Sequence, residues 1–202
     1  MSALRGPVVP YVTTWSAEQT LVSHVVEHPS GIGIAYADEI LGDRDSNGVL
    51  WHRTPSLPGQ GKPEFGLVHS SRQRRAMRKF LCQVCAGPAT PTDDGGLLWL
   101  LKDHRHDWAG WPTGMGVTEP PTCRSCAHSA AQSCPALRQG YVMVRVRLSL
   151  VSGVHGVRYR PGRPFPTPIE STLVRFDDPV IHWTLASKLV REFVECTIED
   201  IR

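Results

Sequence analysis

No stretch of the 202 residues approaches the length of an apolar membrane span, and residues 1–20 lack the apolar core that a signal peptide needs. The expectation is a cytoplasmic chain with no membrane partner, in which paired thiols serve as metal ligands more often than as disulfides. Lysine is scarce, with four of the 22 basic residues against 18 arginines. The planar arginine fork suits bidentate contacts to phosphate, although a biased genome composition gives the same count. A net charge of +3 is too small for a cationic coat, so any affinity for nucleic acid has to come from local clusters. No internal repeat, P-loop or Ser/His/Asp order is present. Gly31-Ile-Gly33 lacks the third glycine of a dinucleotide loop.

Six cysteines are present, and four of them fall as two Cys-x-x-Cys pairs, Cys82/Cys85 and Cys123/Cys126, with thirty-seven residues between the pairs. Two thiolates three positions apart can face one metal from a tight turn, so the spacing predicts one structural zinc in a four-sulfur shell. Gly87, just past the second thiol, is expected to supply the backbone angles of such a turn. Cys134 leaves an iron–sulfur cluster open as the alternative, whereas Cys196 reads as an inert thiol. His104 or His106 is a further candidate metal ligand.

Before the first pair, Ser70 to Lys79 carries five cations and no acid: Arg72, Arg74, Arg75, Arg78 and Lys79. With a serine to cap it, this run predicts a short basic helix, either a solvated face or a contact for the phosphates of DNA or RNA. Trp99, Trp108 and Trp111 lie in the same region, to stack on bases or to supply the core that a small metal module lacks.

Upstream, Ile32, Ile34 and Tyr36 alternate and Asp45 to Gly48 makes a turn, which predicts a hairpin over about residues 32–53. Downstream, Tyr141 to Val151 alternates over its whole length. Ser152-Gly153 then permits a turn into a second strand, Val154 to Arg160, setting Arg158 and Arg160 beside Arg145 and Arg147. Pro161 to Pro168 reads as an extended surface connection, followed by a short strand near Leu173 to Phe176. Asp178-Pro179 opens a C-terminal helix with Ile181, Leu185, Leu189 and Phe193 on its buried stripe. The expected architecture is α+β: an antiparallel sheet with a C-terminal helix and an inserted zinc module. Its segments are a β-rich 1–68, the basic helix and metal module at 69–138, and a hairpin with helix at 139–202.

Within that module a knuckle at Cys82 to Gly87 is followed by a loop at residues 92–96, by Leu97 to Leu101 as one arm of a hairpin, and by a helix capped by Thr122 that holds Cys123 and Cys126 in its first turn. This order resembles the treble-clef zinc fingers over residues 80–135. With Asp103-His104 after the hydrophobic strand and His128 near the last pair, it is also similar to zinc-stabilised HNH nucleases. The nuclease resemblance implies His104 as general base, with Asp103 and a second histidine holding a catalytic divalent ion. The chain departs from it twice: Val117-Thr118-Glu119 stands where an Asn is expected, and His128 is displaced by one residue. The remainder resembles small cysteine-containing bacterial proteins, which implies no activity. Two functions therefore stand side by side: a zinc-stabilised protein that binds nucleic acid or a protein partner, and a divergent HNH-like endonuclease centred on His104.

Overall fold

The computed structural model describes residues 8–89, 91 and 95–199. Over these described residues it is an α+β structure, mostly sheet, with two α-helices. Five short strands come first: β1 (Thr13–Trp15), β2 (Val25–Glu27), β3 (Ile34–Tyr36), β4 (Leu50–Trp51) and β5 (Pro63–Val68). Helix α1 (Ser70–Lys79), β6 (Leu97–Lys102), β7 (Gly116–Val117) and α2 (Arg124–Ser133) follow. The chain closes with β8 (Tyr141–Arg160), β9 (Thr167–Arg175) and β10 (Thr184–Glu199).

Two compact units divide these elements. The first takes residues up to Thr14, Pro63–Leu150 and those from Arg191 on; the second takes Trp15–Lys62 and Val151–Val190. In the first unit the strands run in the order β6, β8, β10, β7. Strands β6 and β8 pair antiparallel from Leu97 opposite Val146 to Lys102 opposite Tyr141. Leu98, Leu100 and Met143 on this pair bury Ala127 of α2, a residue small enough to let the helix backbone approach the sheet. The buried Trp99 ring meets Phe193 edge-on at 5.2 Å. Its indole nitrogen donates to the Glu119 carbonyl at 2.8 Å.

In the second unit β2 pairs with β3, and Ile34, Tyr36, Leu50 and Leu185 form the core. Its polar anchor is Arg53, whose guanidinium lies 4.3 Å over the Tyr36 ring, with Nε donating to Asp43 at 2.9 Å and Nη1 to Asp38 at 2.9 Å. Hydrogen bonding from Arg53 holds the Asp43 carboxyl below the usual carboxylate range. A carboxylate depressed in this way adds stability that is present above its unfolded pKa, about 3.9, and is lost as pH falls through the folded value. Asp43→Asn should therefore lower stability near neutral pH by roughly 2 kcal/mol, because a half-buried arginine then keeps only the exposed Asp38 as its counter-charge. In urea titrations the gap to the parent should close below about pH 4; a gap that stays constant down to pH 3 would exclude the pair as its cause.

Four expectations are corrected here. Residues 184–199 form strand β10, not the last turns of a helix, and Asp178-Pro179 caps only a 3-10 turn over Pro179–Trp183. Apolar residues every fourth position also repeat on one face of a strand, since four is a multiple of its two-residue period, and β-branched Thr184, Val190, Val194 and Ile198 favour the extended form. Ser152-Gly153 makes no turn, because β8 continues as one strand of 20 residues. Its glycines answer to close approach: a Cβ on Gly153 would meet the Val174 carbonyl, and one on Gly156 the Leu185 carbonyl. The turn at Asp45 to Gly48 forms, with the Gly48 amide on the Asp45 carbonyl at 2.9 Å, but no hairpin spans residues 32–53. Strand β3 turns back onto β2, while β4 runs parallel to β10 with Leu50 opposite Leu185. Finally, β6 is not an arm of a local hairpin, since its partner is β8; the loop expected before it lies partly outside the described residues.

Candidate metal centre

Helix α1 delivers the chain into the first thiol pair. The helix stops at Phe80, whose left-handed conformation (φ 51°) turns its amide back onto the Ala76 carbonyl. A bridge between Leu81 and Pro88 and a bond from the Ala89 amide to the Phe80 carbonyl at 2.8 Å then close a narrow loop. Inside that loop the Cys82 amide donates to the Gly87 carbonyl at 2.7 Å and the Ala86 amide to the Cys82 carbonyl at 2.9 Å. The left-handed residue of the knuckle is Ala86 (φ 61°), not Gly87.

The second pair rides on α2. Cys123 occupies the N-cap position itself, with no side-chain capping bond. Thr122, expected as the cap, is buried and does something else: its amide donates to the Leu98 carbonyl at 2.8 Å and its hydroxyl accepts from the Gln83 amide group at 3.0 Å. The Gln83 backbone amide also reaches the Pro121 carbonyl at 2.9 Å. Gln83 therefore ties one thiol-bearing segment to the other. Ala127, the residue after Cys126, seats this helix on the sheet. Backbone bonds and a buried methyl group thus hold both pairs before any metal bond is counted.

The four sulfurs lie within 4.8 Å of one another, and those of Cys85 and Cys123 are 3.9 Å apart. A tetrahedral zinc with Zn–S bonds of about 2.3 Å separates its ligands by about 3.8 Å, so the site has the right size for one such ion. Cys82 is buried and Cys85 exposed. Burial raises the Cys82 thiol above its ordinary value against opposing backbone amides. Burial acts in the same direction on Cys123, but bonds from the Ser125 hydroxyl and the Cys126 amide outweigh it and bring that thiol to about 7. Cys126 is pushed up by burial and by Cys123 beside it. Four thiols that cannot share space as four free anions are suited to a divalent cation, which takes them all as thiolates.

Glu199 braces the helix that carries the second pair. One of its carboxylate oxygens accepts from Arg124 at 2.8 Å and from Arg145 at 2.7 Å. Burial raises the carboxyl, but the two guanidinium groups prevail and hold it below its ordinary value. Neither Gln83 nor Glu199 stands out in the sequence. Gln83 sits between two ligands without being one, and Glu199 is 54 residues from Arg145.

The other candidates are placed as follows. Arg72 is buried, with its guanidinium on the Thr13 carbonyl at 2.6 Å, so it joins α1 to β1. Arg74 is half-buried, while Arg75, Arg78 and Lys79 are exposed, Arg75 donating to the Tyr11 hydroxyl at 3.2 Å. His104 is exposed with Nδ1 3.1 Å from an Asp107 oxygen. Asp103 is taken up by the Arg105 side chain at 2.9 Å and its amide at 3.1 Å, which together hold its carboxyl low. His106 is exposed and His128 half-buried on α2. Among the described residues the four thiols are the one group of three or more Cys, His, Asp or Glu ligands that converges. Asp103, His104 and His128 are therefore not gathered into a second ion site, and neither Cys134 nor Cys196 joins the first. Of the three tryptophans near the thiols in sequence, Trp99 and Trp111 are buried and Trp108 is exposed. Arg145 and Arg147 pair with Glu199 and Glu195, and Arg158 with Glu170, so each of those three arginines has a carboxylate partner, Glu199 being shared with Arg124.

Among the described residues no helix is long and apolar enough to cross a membrane. Comparison with protein-family models, with curated proteins and with solved structures gives no match, so the chemistry of the site rests on its own residues.

Proposed function

We propose that the chain is a zinc-stabilised nucleic-acid-binding protein in which Cys82, Cys85, Cys123 and Cys126 hold one structural zinc and α1 contacts phosphates. The carrying observation is continuity: the basic helix ends at Lys79, and only Phe80 and Leu81 separate it from the first ligand. Zinc bound at Cys82 then fixes the end of the helix that presents Arg75, Arg78 and Lys79 to solvent. A knuckle followed by a helix with two ligands at its N-terminus supports a treble-clef-like reading of the module. Arg72 is left out of the contact surface because its charge is spent on Thr13.

The test is reversal of charge on the exposed face. In Arg75→Glu/Arg78→Glu, affinity for nucleic acid should fall and the slope of log K against log salt should shrink by about two, one per lost phosphate contact. Unchanged affinity and slope would remove the helix from the interface. If the parent binds neither DNA nor RNA at low salt, a protein-binding adaptor becomes the better reading of the same face.

A further inference from the structure

The connection between β8 and β9 is a second cationic element, lying wholly in the second unit. Residues 153–160 of β8 and β9 pair antiparallel from Gly153 opposite Arg175 to Arg160 opposite Thr167, giving a two-stranded ribbon. From Gly153 to Arg175 the sequence holds four arginines and one glutamate, a net +3 equal to that of the entire chain. Arg158 spends its charge on Glu170 and Arg175 on Asp177. At the tip, Arg160 and Arg163 are exposed, and their guanidinium groups have no hydrogen-bond or ion-pair partner among the described residues. Beside them Phe165 is 57 % exposed, flanked by Pro164 and Pro166.

A ring left in water next to two uncompensated guanidinium groups calls for a ligand that is anionic and flat at once. We propose that this ribbon tip binds single-stranded nucleic acid, with Arg160 and Arg163 on backbone phosphates and Phe165 stacked on an unpaired base. Magnitudes separate this partner from its rivals. Stacking on an aromatic ring strengthens binding of an unpaired base by roughly tenfold or more. Opening a duplex step for the same ring first costs unstacking, which one side chain with two cations does not recover. A lipid surface requires more apolar area than one half-covered ring, since even a whole acyl chain anchors only marginally. The inference shares with the preceding proposal the premise that the protein binds nucleic acid, but it rests on different residues and names the form of the polymer.

Fluorescence anisotropy of the full chain with a labelled single-stranded oligonucleotide, the matching duplex and vesicles containing anionic phospholipid tests it. The parent should bind the single strand more tightly than the duplex. Phe165→Ala should weaken the single strand about tenfold or more while hardly changing the duplex, and Arg163→Glu should reduce the salt slope by about one. Both side chains are exposed, so circular dichroism should remain that of the parent. Tip variants that bind the single strand as the parent does would overturn the assignment, and if Arg75→Glu/Arg78→Glu then loses binding, the helix reading survives without it. Loss in the tip variants with binding retained in the helix variant would support the tip and remove the helix. Vesicle binding lost in Phe165→Ala, with no oligonucleotide bound, would make the partner a membrane surface and refute the proposal.

Discussion

Cys126→Ser should leave a chain that retains no metal through gel filtration and has lost the folded state of its first unit, whereas Cys134→Ser should behave as the parent. The contrast follows from the converging sulfurs, which include Cys126 and omit Cys134 although both lie on or beside α2. Structural zinc in small modules contributes an apparent 10–16 kcal/mol, as much as or more than the roughly 5–15 kcal/mol that holds an ordinary domain together. Removal of one thiolate also leaves three sulfurs packed within a few ångströms without the cation that neutralised them. Metal content of the purified variants reports the first consequence; emission of the chain's six tryptophans, of which Trp99 and Trp111 are buried in the first unit, reports the second. A Cys126→Ser chain that keeps stoichiometric metal and parent-like emission would exclude Cys126 as a ligand.

Trp99→Ala should be the most damaging change outside the thiols, lowering stability by about 4 kcal/mol or more. Truncation of a fully buried tryptophan costs about 3–5 kcal/mol in transfer and cavity terms. The edge-on contact with Phe193 adds about 1 kcal/mol, and the Glu119 carbonyl loses its donor. Because β6 also carries Leu98 and Leu100 beneath Ala127, the damage should reach the helix bearing Cys126 and weaken metal retention under a chelator. Trp99→Phe, which keeps one aromatic ring but loses the indole donor and part of the buried volume, should fall between. Urea midpoints for the three proteins decide the matter: a shift for Trp99→Ala equivalent to less than about 1 kcal/mol, below the range for core truncations, would show that this core is not what the metal helix rests on.

The four-thiol cluster was legible in the sequence because its signal is local. Two Cys-x-x-Cys pairs announce themselves by spacing alone, and Ser70 to Lys79 is helical over the span its composition marks out, although His69 and not a serine caps it. Strand β6 was readable for the same reason, and α2 begins one residue later than expected, with Cys123 and not Thr122 as its N-cap. The misreadings share a different cause, since each depended on a partner distant in the chain. Ile181, Leu185, Leu189 and Phe193 fit a helix stripe and a strand face equally well, and the presence of β8 and β4 beside them decides between the two. Gly153 and Gly156 look like a turn until the Val174 and Leu185 carbonyls are brought against them. Arg145 and Arg147 look like a cationic face until Glu199 and Glu195 arrive from the last strand. Conversely, Arg163 and Phe165 sit in a segment whose prolines mark it only as a surface connection. Their exposure, and the lack of partners for the guanidinium, emerges once the ribbon is built.

The most direct test of the account is the metal content of the purified parent chain, measured by elemental analysis against protein concentration. One zinc per chain, released stoichiometrically when the thiols are titrated with a mercurial reagent, is the predicted result. A chain without metal, or one carrying iron and acid-labile sulfide with a visible absorption band, would contradict the zinc centre on which the proposed function is built.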